Sequence, residues 1–385
     1  MSLAARGPGH AGHTRHHQYE RLDSLRGLAA LTVGIGHAVL SLNFSTGSPV
    51  RALVLGLFNA NYAVDMFFVL SGFVLQNMLT GFTIEHNVAY WLRRLARIYP
   101  LLWASLFAGA AAAAIAQHFG PPGPSVVFSN WILHLITAPH TLAQIARDFI
   151  PVDYNLNPVV WTIRIEIEAS ILYPLLAFAW RRSTTKGKLT ILASALALSW
   201  LIRNELPHYL YMFVVGLALA DLRDTRLGAH RARMLLSLAM SLLLVSGFWL
   251  RGHSFTADLL ATMSSALILY TTAFHCPPRL LAFLSLRPLR HLGRLSYAYY
   301  LFNAIALWSL VRIASAWGFG QGSSVNDANQ MLRATLLMML ALATTLAVSE
   351  LAHRYIEIPS IMFGRWAQRA MLERFADPSS GTASR

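Results

Sequence analysis

Apolar stretches of about 20 residues recur along the whole chain, and arginine and lysine gather in every second connection between them. That length matches the roughly 30 Å hydrocarbon core of a bilayer, where a spanning backbone must satisfy its own hydrogen bonds, so such segments fold as helices. The pattern predicts about ten transmembrane helices, near 25–44, 61–80, 98–117, 159–180, 189–204, 208–222, 234–250, 256–275, 295–316 and 331–351. The basic clusters lie at Arg93, Arg94 and Arg97, from Arg181 to Lys188, from Arg223 to Arg233, from Arg279 to Arg294, and from Arg354 to Arg369. By the positive-inside rule both termini are then cytoplasmic, which an even helix count requires. The expected fold is an all-α polytopic membrane helix bundle.

Composition agrees. Of the 385 residues 55% are hydrophobic and 12% charged, against about 25% charged in a soluble domain, and the mean hydropathy is +0.47. The net charge of +14 does not indicate nucleic acid, because no basic run forms a stripe with interleaved aromatics. Cys276 is the sole cysteine, in the Pro-rich HCPPR connector, so no intrachain disulfide is available and the thiol lacks an activating motif. Residues 1–20, with His10, His13, His16 and His17, lack the pattern of a signal peptide and read as a flexible cytoplasmic tail, weak metal binding being the alternative. One transmembrane domain, 21–358, follows, and then a cytoplasmic C-terminal tail, 359–385.

Ionisable residues inside apolar helices are costly, so each asks for a reason. In the first helix, RLDSLRGLAALTVGIGHAVLSL, Arg26 and His37 are eleven residues apart and share one face about 16.5 Å apart. A snorkelling Arg and a hydrogen-bonded core His are the bland reading; a cation and a base along one wall are the functional one. Counted from the cytoplasmic end, His37 lies a little past the midplane. Asp65 in the second helix and Arg164, Glu166 and Glu168 in WTIRIEIEASILYPLL are expected at the same depth. Arg164 and Glu168 are spaced for an ion pair that holds helices together. Glu166 points the other way, toward His37, Arg164 or a substrate. Arg94 and Arg97 form a two-pronged cationic face, which reads either as topology alone or as a phosphate clamp. The connection from His118 to Pro158 is a plain connector or an acceptor-binding lid.

Taken together these motifs resemble the acyltransferase-3 family of integral membrane O-acyltransferases, over roughly Arg21 to Pro359. The resemblance rests on RLDSLRGLAALTVGIGH with Arg26 and His37, on VDMFFVLSGF with Asp65, Ser71 and Gly72, and on RRLARIYP with Arg94 and Arg97. It continues in NPVVWTIRIEIEASILYP with Trp161 and Glu166, in LGRLSYAYYLFN with Tyr297 and Asn303, and in HRYIEIPS with Glu357. Thr162 stands where the family usually has Ser, and Asn303 where many members have His.

The resemblance implies transfer of an acyl group, acetyl being expected, from cytoplasmic acyl-CoA to a hydroxyl of a saccharide or other small acceptor. His37 would be the general base, with Asp65 or Glu166 orienting its ring, and Arg26, Arg94 and Arg97 would bind the acyl-CoA phosphates. Trp161, Arg164, Ser71, Tyr297, Asn303 and Glu357 are acceptor-side or structural candidates. The implied partners are membrane lipid, acyl-CoA as co-substrate and the hydroxylated acceptor, with no resident cofactor or metal. The implied setting is the bacterial inner (plasma) membrane and O-acetylation of a cell-envelope polysaccharide. The competing reading is a proton-coupled transporter, since a His among carboxylates also serves as a proton relay.

Overall fold

The computed structural model describes residues 9–44, 47–136, 141–202, 205–222, 227–249, 254–274, 281–320 and 328–376; of 9–20, 328 and 374–376 it describes the backbone alone. Among the described residues the chain is all-helical, its β structure limited to an isolated antiparallel bridge between Leu42 and Phe128. Cys276 lies outside the described residues.

All ten predicted segments overlap observed helices. They are α1 (Gly9–Leu40), α3 (Ala60–Met78), α4 (Ile84–Gln117), α7 (Val160–Arg182), α8 (Thr185–Leu201), α9 (Glu205–Asp221), α10 (Ala229–Trp249), α11 (Phe255–Phe274), α12 (Arg287–Ala316) and α13 (Ala328–Ala352). Four shorter or terminal helices were not predicted as separate elements: α2 (Pro49–Leu57), α5 (Asn130–Leu133), α6 (Leu142–Phe149) and α14 (Ile358–Ala376). The ends differ for local reasons. α1 starts at Gly9, inside the stretch expected to be a flexible tail. α4 starts at Ile84 because the Thr83 side chain caps it by accepting from the His86 N–H, so Arg93, Arg94 and Arg97 sit on a helix rather than in a connection. α13 does not stop near 351; it passes through a π-helical turn, His353–Glu357, into α14.

Five helical segments among the described residues are long and apolar enough to cross a membrane: Pro49–Met78, Ile84–Gln117, Ala229–Trp249, Phe255–Phe274 and Asn329–Glu373. α8 and α9 have 17 residues each, while α1, α7 and α12 carry the arginines, carboxylates and tyrosines that lower their average hydropathy. Large apolar side chains face outward on many helices, with Phe107, Leu175, Trp200, Leu238, Met339 and Trp249 all exposed. In water such a surface is a liability; against lipid chains it is the favoured one.

Close helix crossings set the geometry of the bundle. Gly27 of α1 and Gly293 of α12 meet so tightly that a Cβ on Gly27 would lie 2.6 Å from the Gly293 nitrogen, and one on Gly293 would lie 2.2 Å from the Asp23 carbonyl. Gly72 of α3 and Gly216 of α9 cross in the same way, their added Cβ atoms falling 2.2 Å and 2.1 Å from backbone oxygens. Small residues that let backbones touch are how helices associate where the hydrophobic effect offers no help. α12 is the central element, packed on α1, α4 and α13. The main core runs from Leu22 and Leu25 through Phe68, Phe73, Tyr173 and Phe213. A second core, around Trp308, Phe128 and Ile132, seats the connection after α4 against the far half of α12.

Candidate active site

A narrow cavity of about 700 Å³ including its mouth lies between α1, α3, α4, α7 and α12. Its polar lining is Arg26, Ser71, Arg94, Arg97, Thr162, Glu166, Ser296, Tyr297 and Tyr300, against apolar Val64, Phe67, Phe68 and Leu75. Residues separated by more than 250 positions therefore share one wall. The α1–α12 crossing brings Arg26 beside Tyr297, and the Tyr297 hydroxyl donates to the Ile98 carbonyl of α4 at 2.8 Å, which ties α12 to the helix carrying Arg94 and Arg97.

Arg94 is buried, and its guanidinium is already engaged. Nη2 pairs with Glu166 Oε1, and Nε donates to Ser170 Oγ at 3.1 Å. Ser71 Oγ donates to the same Glu166 oxygen at 3.0 Å, and Ser170 Oγ donates to the Glu166 carbonyl at 2.6 Å. Glu166 is thus oriented by three helices, and its partner is Arg94, not His37 or Arg164. Ser170 lies one helical turn beyond Glu166; that i, i+4 spacing could have marked it in the sequence. Arg97 also faces the cavity, within electrostatic reach of Arg26, Arg94, Glu166 and Glu357. Glu357 is buried in the π-helical turn, and its Oε2 meets His353 Nδ1 at 2.8 Å. π turns inside helices are often found at functional positions, and here the turn brings a carboxylate toward Arg97.

His37 does not line the cavity. Its Nδ1 meets Asn303 Oδ1 at 2.7 Å. Asn303 is fully buried, and its Nδ2 donates to the Tyr300 carbonyl at 2.6 Å and to the Tyr299 carbonyl at 3.3 Å. Because that amide nitrogen faces two carbonyls, Oδ1 is the atom turned to the imidazole and can only accept. Nδ1 is then the donor, and in the neutral ring the lone pair is on Nε2. The expected orienting carboxylate is replaced by an amide. The lining of α12 ends at Tyr300, one turn before Asn303, and that of α7 ends at Thr162. Their hydroxyls meet at 2.8 Å. Trp131 of α5 lies against the imidazole, ring centroids 5.5 Å apart, and is itself part exposed. It was missed in the sequence because nothing there pairs α5 with α1.

The remaining candidates sit elsewhere. Asp65 is buried on the opposite side of α3 from the cavity, toward Asp258 and the tyrosines of α9. There Asp258 Oδ2 meets His208 Nε2 at 3.0 Å. Asp65 therefore does not orient His37. Arg164 binds Glu168 at 2.8 Å, Glu205 at 3.1 Å and the Val152 carbonyl at 3.2 Å, a structural ion-pair network away from the cavity. The ring of Trp161 packs on Tyr209 at 5.7 Å. The connection after α4 is held in place by Asp148, which accepts from the Asn155 and Leu156 N–H groups, and by Asn157, which donates to Ser105 Oγ and the Leu301 carbonyl.

Apolar helices around a buried cavity lined by arginines and a glutamate define a multi-pass integral membrane protein. The chain belongs to the acyltransferase-3 family: the family model described as an acyltransferase domain matches residues 19–350. The protein is accordingly a membrane acyltransferase, an enzyme. No curated protein and no solved structure matches the chain.

Proposed function

We propose that the protein is an O-acyltransferase that takes an acyl group, acetyl in the simplest case, from acyl-CoA at the arginine end of the bundle and places it on a hydroxyl of a saccharide or similar small acceptor. The observation that carries this reading is the His37–Asn303 pair. It presents Nδ1 to an amide oxygen, so that in the neutral ring the lone pair is on Nε2, on the same helix as Arg26 and about 16.5 Å further along it. The arginine distribution supports a topology of ten spans with both termini cytoplasmic, in which Arg26, Arg94 and Arg97 face the side where acyl-CoA is made; the membrane in this reading is a bacterial inner membrane.

The chemistry is a direct transfer. Nε2 of His37 takes the proton of the acceptor hydroxyl as the oxygen attacks the thioester carbonyl. The C–S bond breaks, and the imidazolium returns its proton to the departing thiolate. A positioned general base supplies about 10² to 10⁴ in rate, so alignment supplies the rest. Arg26 and Arg97 hold the donor, and the Arg94–Glu166–Ser71 group shapes the wall it passes. Tyr300 and Thr162, whose hydroxyls meet at 2.8 Å, form the end of the cavity on the α12 and α7 walls. Trp131 offers its ring face to a sugar or other flat-sided acceptor beside His37.

The test is acceptor-dependent release of free CoA. Purified enzyme with acetyl-CoA should liberate thiol only when an acceptor is present, with a matching gain of one acetyl mass on the acceptor. A proton-coupled carrier would release none under any condition, and that result would reject the transferase reading.

A further inference from the structure

Beside the cavity lies a second, open depression of about 1060 Å³ including its open side, lined by Asp23, Arg287, Pro288, Arg290, His291 and Arg294. Three guanidiniums and an imidazole face one carboxylate. That carboxylate is partly engaged by Arg26 at 3.9 Å, and His291 is held by Glu350 at 2.8 Å. The bowl therefore keeps an excess of positive charge in the fork geometry that suits phosphate oxygens.

The bowl is built rigidly. Ser24 Oγ donates to the Leu284 carbonyl at 2.6 Å, and Arg21 Nε donates to Ser285 Oγ at 3.2 Å, so the turn that starts α12 is stitched to α1. One turn further on, the Gly27–Gly293 crossing locks the two helices together. The bowl also neighbours the cavity along both helices. Asp23 lines the bowl and Arg26 the cavity on α1; Arg294 lines the bowl and Ser296 and Tyr297 the cavity on α12. Arg94 cannot serve an incoming phosphate without giving up Glu166 and Ser170. The cavity itself then offers Arg26 and Arg97, too few for a ligand with several phosphate groups.

We infer that this bowl is the binding site for the phosphorylated nucleotide end of the donor, its pyrophosphate and ribose phosphate resting on Arg287, Arg290 and Arg294 while the thin pantetheine arm runs past Arg26 into the cavity. This assignment rests on the acyl-CoA reading above. The expected corrections to that reading are specific: the phosphate contacts belong to the start of α12, and Arg94 orients the wall.

The experiment measures binding of CoA, dephospho-CoA and pantetheine to detergent-purified protein by calorimetry, for wild type and for the Arg287→Ala/Arg294→Ala double variant. Both side chains are exposed, and the Arg287→Lys/Arg294→Lys variant controls for folding. Wild type should bind CoA more tightly than dephospho-CoA and far more tightly than pantetheine. The alanine variant should lose about tenfold or more in CoA affinity, the range for a charged hydrogen bond removed, keep its pantetheine affinity and show a flatter salt dependence; the lysine variant should recover part of the loss. Equal CoA affinity in wild type and the alanine variant overturns the bowl and leaves the donor reading standing. No CoA binding by wild type overturns both. An anionic lipid headgroup presents the same phosphate chemistry; if the alanine variant merely loses phosphatidylglycerol captured from vesicles of that lipid while CoA binding is unchanged, the nucleotide assignment is overturned in favour of lipid.

Discussion

At the scale of single residues, the site depends on two polar side chains whose partners the sequence could not name. Asn303 stands where a histidine is usual in the family, and its value lies in its geometry: an acceptor oxygen toward His37 Nδ1, held there because its nitrogen faces the Tyr299 and Tyr300 carbonyls. Asn303→Ala should lower kcat by at least about tenfold, within the 10² to 10⁴ of the base itself, with the donor KM unchanged, and Asn303→Asp should restore much of it by keeping an oxygen in place. Steady-state kinetics on matched membranes separate the two parameters. Arg94 and Glu166 show the opposite lesson. The sequence marked Glu166 as a charge inside a helix and Arg94 as one of a cluster in a connection, but not that they were for each other; a contact between α4 and α7 leaves no trace in either segment. Glu166→Ala leaves the Arg94 charge buried and alone, which costs about 3 kcal/mol, the low end for a broken buried pair because Glu166 is partly open to the cavity. The double change Arg94→Met/Glu166→Leu should cost less than the single one, read as the thermal midpoint in detergent.

At the scale of elements, the existence and type of the ten long helices were legible, because an apolar run of spanning length in a chain this poor in charge leaves few choices. The short α2, α5 and α6 and the terminal α14, which lack such a run, were not legible. Nor were the boundaries. The cap at Thr83 extends α4 backward over the arginines, and the π-helical turn at His353–Glu357 carries the last helix onward; both are decided by a few side chains rather than by periodicity. Crossings were equally hidden. Gly27 and Gly293 look unremarkable in sequence, yet they set how closely the helix bearing Arg26 and His37 approaches the one bearing Tyr297 and Asn303. Gly293→Ala places a methyl 2.2 Å from the Asp23 carbonyl and forces the helices apart. A loss of about 1 to 3 kcal/mol is expected, the usual cost of overpacking, together with weaker donor binding. Gly228→Ala, where nothing lies within 4 Å, serves as the neutral control.

For the whole molecule, the arrangement is a gradient along one axis: arginines at one end, a narrow polar-walled cavity, then an imidazole backed by an amide and flanked by an exposed tryptophan. The sequence showed both ends of that axis, since Arg26 and His37 share a helix face. It did not show that Tyr300 and Thr162 meet, because a single side-chain contact between α12 and α7 leaves no trace in either segment. A donor held by the arginines and a base beyond the cavity make sense together only if an acyl group passes from one to the other. The direct measurement is transfer of labelled acetyl from acetyl-CoA supplied to sealed inside-out membrane vesicles, wild type beside His37→Ala at equal protein content. Labelled acceptor should form with wild type and fall by about 10² or more with the variant; transfer at an undiminished rate without His37 would contradict the account.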